Sequence, residues 1–359
     1  MPCRVDRRSF LSQSVLAGAA LSLRGPEEKQ LVALLENPDD AQARRDPSPG
    51  AMPTGQIGDL SISRLIAGGN IISGWCHQRD LLYVSTLAGH YLTQTKQFDT
   101  MELMEAQGIN TIAPDISQME LINQYRRERG GKIQTIVGIR QDWAHFEKPF
   151  WSKAEDPTGK EDDLGLKEWI DKCIDQGATT MYTQGGYTEN VLKTGSAKNI
   201  DLIAKAIQYI QEKGLLAGLG CHDVKVLEIA DAHGIVPDYY FKSFHHDNYW
   251  SAQPLDRRES WSVDSTRFVD HNKFHDNIFD LFPEKTQECM AIKKKPWIAF
   301  KTLAAGAIKP DTAFEFCFKN GADFVSVGMF DFQVMNDAAA VKKVLAMDAV
   351  KNRPRFWCT

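Results

Sequence analysis

No run of about 18 apolar residues occurs in the 359-residue chain, so no membrane-spanning helix is expected. No C-x-x-C pair occurs among its seven cysteines, Cys3, Cys76, Cys173, Cys221, Cys289, Cys317 and Cys358. Their odd number and wide scatter read as free thiols and argue against a disulfide framework. A basic excess is missing too. Against 42 Lys and Arg stand 47 Asp and Glu, a net charge of −5, so no nucleic-acid partner is expected. Nor is there a G-x-G-x-x-G turn to cradle a dinucleotide phosphate. What is present, 43% hydrophobic and 25% charged residues, is an ordinary globular composition. The length suits one large α/β barrel or two smaller domains.

The first segment reads as an address. In residues 6–23, DRRSFLSQSVLAGAALSL, Arg7 and Arg8 precede Phe10-Leu11 and a mildly apolar, small-residue run. This resembles a twin-arginine export signal, which implies a periplasmic or otherwise exported protein; an amphipathic first helix is the plainer reading. Residues 1–23 are therefore assigned to a signal segment and 24–52, polar and ending RRDPSPG, to a linker. Residues 53–350 are assigned to a single barrel and 351–359 to a tail.

From residue 57 onward, short apolar runs alternate with helical patterns. Strands are expected at 63–69, 109–113, 133–139, 178–183, 215–220, 238–244, 296–301 and 323–328. Helices are expected near 98–107, 116–129, 164–176, 199–213, 223–233, 283–294, 310–320 and 337–348, with Asp99, Asn199 and Asp311 as capping-type residues. Gly108, Gly177 and Gly321 each stand between a helix and a strand, where a left-handed residue closes the helix. Strict alternation, eight times over, points to a (β/α)8 TIM barrel, with a doubly wound sheet as the alternative. The long connections 70–97 and 245–282, after strands one and six, then lie at the C-terminal mouth, where barrel chemistry occurs.

Alternate residues of a barrel strand face the interior. If a lysine cannot face the apolar helix layer, Lys242 and Lys301 set the phase of strands six and seven: Tyr240, Lys242, Ala299 and Lys301 inward, Tyr239, Phe241, Ile298 and Phe300 outward. The same counting brings Asn70, Asp115, Arg140, Gln184 and His222 to the mouth, with His246 just past strand six.

His222, Lys242, His245, His246, Lys301, Gln184 and Asp115 are thus the candidate catalytic residues. Imidazole titrates near neutrality, and a desolvated lysine amine can attack a carbonyl. By parity, His245 supports the site from behind, while the other mouth residues surround a ligand. Asn70, Arg140, Tyr249 and Trp250 are candidate substrate contacts, with Trp75 and Trp261 as further stacking walls. A divalent metal (zinc, manganese or iron) could take His222, His246 and a carboxylate, Asp115, Asp223 or Asp276, with Asp276 the choice adopted; His271 with His275 is a weaker pair.

The opening MPTGQIGDLSISRLIAGG, residues 52–69, resembles that of an aldo-keto reductase, where a short hairpin leads into the first barrel strand. The resemblance continues through GINTIAPD, PDYYFKSFHHDNYW, PWIAFKTLAAGAI and GADFVSVGMFDFQ, motifs that look like an often exported branch of aldo-keto-reductase-like barrels. It implies the barrel but not the reductase chemistry. Pro114 stands where the family has its Asp, and Asp115 is one place late; no tyrosine follows at the family's offset. Arg140 and Gln184 stand near the family's lysine and histidine. Asp331 occupies the region of the nicotinamide phosphate site, so NADP is not expected. The Phe-Lys-Ser and Phe-Lys-Thr of strands six and seven also look like the paired barrel lysines of deoxyribose-phosphate aldolase.

The resulting expectation is an exported enzyme acting on a sugar-derived or related polyhydroxy or carbonyl substrate, as a lyase, isomerase or hydrolase, using His and Lys acid-base chemistry. An NADPH-dependent reductase with a displaced tetrad and a non-catalytic small-molecule-binding protein are the alternatives. The partner expected is a small-molecule substrate.

Overall fold

The eight apolar runs become eight parallel strands. A computed structural model of the chain describes residues 51–358 except 75, 78–82, 141–162 and 263–278. Residues 1–50 of the N-terminal signal and linker segments, Trp75, His271, His275 and Asp276 lie outside the described residues. A hairpin comes first, β1 (Thr54–Ile57) paired antiparallel with β2 (Leu60–Ser63). The barrel strands follow: β3 (Leu65–Gly68), β4 (Thr111–Ala113), β5 (Gln134–Ile139), β6 (Thr180–Thr183), β7 (Ala217–Cys221), β8 (Tyr239–Ser243), β9 (Trp297–Phe300) and β10 (Phe324–Val327). They close in the order β10-β3-β4-β5-β6-β7-β8-β9, so the (β/α)8 TIM barrel is correct.

The helices are α1 (Gly69–Ile72), α2 (Tyr83–Tyr91), α3 (Gln94–Ala106), α4 (Met119–Arg129), α5 (Asp163–Asp175), α6 (Gly185–Leu192), α7 (Ala197–Glu212), α8 (Val224–Ala232), α9 (Pro283–Ala291), α10 (Pro310–Lys319), α11 (Asp331–Leu345) and α12 (Asp348–Lys351). All eight expected helices are present, and the short α1, α2, α6 and α12 are additions. The capping residues differ from expectation: Thr93, Ser196 and Lys309 precede α3, α7 and α10, so Asp99, Asn199 and Asp311 lie inside their helices. Gly108, Gly177 and Gly321 do adopt positive φ. No helix among the described residues is long and apolar enough to cross a membrane.

Two apolar layers define each strand's phase. Inside the barrel, Ile66, Ile136, Tyr239, Phe241, Ile298 and Phe324 pack with Ile57 and Ile62 of the hairpin, which plugs the N-terminal end. Tyr240, Trp297 and Ala299 belong to the outer cluster shared with the helices. The expected phase of strands six and seven is therefore reversed: Tyr239, Phe241, Ile298 and Phe300 face in. Small residues make room for the large ones, since a Cβ on Gly220 would come within 2.7 Å of the Tyr182 ring and one on Gly218 would overlap Tyr239.

The last residues are no loose tail. Arg353 and Arg355 fold under the N-terminal face and bind the buried Asp323 at 2.7 and 2.8 Å. Arg64 donates to the Asp323 backbone carbonyl at 2.9 Å.

Candidate active site

The strand parity that places Arg140, His222 and Asp115 toward the mouth is what the interior cluster requires, because Ile136 and Gly138 on β5 and Gly218 and Gly220 on β7 face in. Lys242 takes the opposite course. Its side chain is fully buried outside the strand ring, where the ammonium donates to Ser243 O at 2.8 Å, Ser243 Oγ at 3.2 Å and Asp280 Oδ1 at 3.3 Å. The rule that lysine avoids the helix layer fails because the returning loop brings a carboxylate to it. Burial pushes the Asp280 carboxyl up, against the pull of Lys242 and of the Thr286 hydroxyl, which donates to it at 2.8 Å.

His245 belongs to the same latch. Its Nε2 accepts the backbone N–H groups of Phe279 and Asp280, both at 3.0 Å, which leaves Nδ1 to carry the proton and donate to His246 O at 2.8 Å. Ser243 Oγ donates to Phe279 O at 2.6 Å. Burial lowers the His245 pKa to about 4. Lys242 and His245, which read as chemistry in the sequence, join Ser243 in fastening Phe279 and Asp280, and His245 is a support rather than a reacting group. His246 turns toward Tyr249 and toward Phe316 of α10, with ring centroids 6.3 and 5.5 Å away. It therefore does not join His222.

The fastened Phe279 stands at the mouth. Its ring lies 4.8 Å from the His77 ring and 6.4 Å from that of His222. The Lys301 Nζ sits 4.6 Å from the same Phe279 centroid. Lys301 follows β9 with φ of 59°, a left-handed backbone that a long side chain rarely adopts. This turn carries Lys301 out of the alternation of β9 and over the mouth. No carboxylate pairs with it among the described residues. Desolvation lowers its pKa to about 7.

His222, at the end of β7, is held by Glu189 of α6. Its Nδ1 is 3.3 Å from both carboxylate oxygens, and Glu189 Oε1 also accepts the backbone N–H groups of His222 and of Asp223, the latter at 2.7 Å. Burial pushes the Glu189 carboxyl up, but the His222 ring and the two N–H groups hold it below the usual carboxylate range. The ring stands 5.0 Å from Phe300. A floor of Tyr182 stacked on Phe241 at 4.2 Å, with Phe241 5.0 Å from Phe300, runs beneath. At its far end Arg140 Nη2 binds Asp115 Oδ2 at 3.1 Å.

The remaining expected contacts lie elsewhere or do other work. Gln184 caps α6, its Oε1 accepting the Tyr187 N–H at 2.8 Å, so it is occupied by the backbone. Asp223 caps α8 and accepts the Trp261 N–H at 2.6 Å. Asn70 is exposed, Tyr249 packs on the His245 and His246 rings, and Trp250 is 87% exposed. Of the metal triad His222, His246 and Asp276, the first two face different surroundings and Asp276 lies outside the described residues. Among the described residues no group of three His, Cys, Asp or Glu side chains could hold a metal ion. Glu189, Phe279 and Tyr182 are missed by sequence reasoning. The one available signal is Glu189 itself, the lone charge in the otherwise uncharged α6.

No family model matches the chain, and no curated protein matches it. Solved structures do match. A phospho-2-dehydro-3-deoxyheptonate aldolase of Thermotoga maritima is 10% identical over 82% of this chain and 73% of that one, with a TM-score of 0.42. A protein of Coccidioides immitis, provisionally assigned as a deoxyribose-phosphate aldolase, is 9% identical over 89% and 99%, with a TM-score of 0.38. A zinc-bound amidohydrolase of Burkholderia ambifaria is 10% identical over 74% and 66%, with a TM-score of 0.35. None of the three is an aldo-keto reductase. Likenesses this distant carry no chemistry across; the barrel assignment stands on its strand pairing.

Proposed function

We propose that this chain is an exported barrel enzyme, on an aldo-keto-reductase-like scaffold without the reductase chemistry, that acts on a carbonyl-bearing polyhydroxy substrate in a lyase- or isomerase-type reaction. Lys301 supplies the amine and His222, oriented by Glu189, the acid and base. The observation that carries the reading is Lys301: a long side chain on a left-handed backbone, its amine against Phe279, with a pKa near 7 set by desolvation. Strain of this kind is held in place only where surrounding structure enforces it, and it concentrates at functional sites.

In the proposed chemistry the unprotonated Nζ attacks the carbonyl carbon, and the carbonyl oxygen, once protonated, leaves as water. The resulting imine withdraws electrons from the neighbouring carbon, and His222 takes the proton released there or at the adjacent hydroxyl. A floor of Tyr182, Phe241 and Phe300 suits the C–H face of a sugar-like chain.

The test is reductive trapping. Borohydride with a short hydroxyaldehyde should add to Lys301 the aldehyde's mass less one oxygen, which leaves as water before hydride reduces the imine, and the rate should rise with pH through about 7, since only the unprotonated amine attacks. Lys301→Met should abolish the adduct. Absence of any adduct, or its appearance at other lysines only, sinks the reading. For export, replacing Arg7 and Arg8 by Lys should leave the protein in the cytoplasmic fraction; unchanged export refutes the twin-arginine address.

A further inference from the structure

The mouth has two polar ends, and only one contains the amine. In the closed order of strands, β5 and β9 stand four places apart in a ring of eight, so Arg140 and Lys301 face each other across the opening. Eight strands about 4.8 Å apart and tilted by about 36° enclose a ring roughly 15 Å across between backbones. Two long side chains reaching inward leave room for a short chain of atoms. The aromatic floor is continuous between them. Tyr182 lies against Gly138, the neighbour of Asp115 across an isolated bridge, and Phe300 directly precedes Lys301.

The far end is a charge pair, partly open to solvent. Arg140 and Asp115 are 3.1 Å apart with side chains 29% and 25% exposed. Such a pair is neutral as a unit, yet it sets an array of N–H donors beside a carboxylate acceptor. A hydroxyl is both donor and acceptor, so adjacent hydroxyls match that array. A phosphate would meet Asp115 as a like charge. Beyond β10, where a phosphate would find another rim contact, Asp331 is a second acid, and its carboxylate is bound by Lys96 and Tyr91 at 2.8 and 2.7 Å.

We infer that Asp115 and Arg140 form a specificity-determining pair that reads the hydroxyls at the far end of a short, unphosphorylated hydroxy-carbonyl substrate whose carbonyl lies at Lys301. The inference rests on the imine reading above and names the substrate class that the site selects.

The experiment compares trapping rates for D-erythrose, butanal and glyceraldehyde 3-phosphate in the wild type, in Asp115→Asn and in Arg140→Gln. The asparagine keeps a capping oxygen for the Ser117 N–H that Asp115 now receives at 3.1 Å, so the short turn after β4 survives. The wild type should trap erythrose at least tenfold faster than the other two. Asp115→Asn should erase most of that preference and bring the phosphorylated aldehyde up relative to erythrose, and Arg140→Gln should slow erythrose without slowing butanal. Equal trapping of the three by the wild type, or a preference that survives both substitutions, overturns the pair's role while leaving the amine chemistry intact. No trapping of any aldehyde removes the imine reading and this inference together.

Discussion

His245 shows how a single side chain can look reactive in a sequence and be structural in the fold. Burial disfavours the charged ring, and two backbone N–H groups pointing at Nε2 give the neutral ring its partners. Its pKa falls from 6.5 to about 4. The folded state therefore binds fewer protons than the unfolded chain between those values. The stability this gives is complete above about pH 6.5 and lost as pH falls toward 4, an effect of up to about 3 kcal/mol. Chemical denaturation of the wild type and of His245→Asn across pH 4–7 should show a steeper acid loss in the wild type. Parallel curves would mean the ring is not held in the neutral form. Lys301 marks the opposite case. Its place near the mouth, on which the proposed chemistry rests, was legible from the strand end, but the left-handed turn that aims it was not, because Lys carries no signal for positive φ as Gly does.

Among the elements, the barrel strands were the most legible, since each is a short apolar run bounded by turn residues. Their phase was legible where glycines or isoleucines spoke for it, as on β5 and β7, and reversed on β8 and β9. The reversal on β8 turns on Asp280, 38 residues after Lys242 and invisible to any local rule. This pairing also changes what Lys242→Met should do. With the amine counted as catalytic, loss of turnover at little cost in stability would follow. With the ammonium sealed against Asp280, the substitution strands a buried carboxylate and should cost about 3–5 kcal/mol. Lys242→Met combined with Asp280→Asn should recover much of that loss, because the neutral amide keeps an acceptor for Thr286. Thermal or urea unfolding decides it; a double variant no better than the single one would show that the ion pair is not the source. Helix α6 was missed altogether, and with it Glu189, because GGYTENVL has neither the length nor the charge pattern of a surface helix.

At the scale of the molecule, the mouth and its opposite face are built from different parts of the chain. The mouth depends on loops that return to β8, while the base is plugged by the hairpin and strapped by residues 353–358. The hairpin was legible in MPTGQIGDLSISRLIAGG; the strap was not, since residues 351–359 read only as a tail. Asp323 lies fully buried between the two strap guanidiniums and accepts the Trp297 N–H at 2.9 Å, joining the start of β9 to the residue before β10. Asp323→Ala should therefore destabilise the whole barrel by about 3–5 kcal/mol, whereas a loss under 1 kcal/mol by urea unfolding would reduce the strap to decoration. There is also a temporal side to this arrangement. Arg353 and Arg355 follow all eight barrel strands in the chain, and until they emerge from the ribosome the Asp323 carboxylate has no countercharge from the strap. The barrel's seam is thus closed later than its strands are made, by residues that belong to none of them.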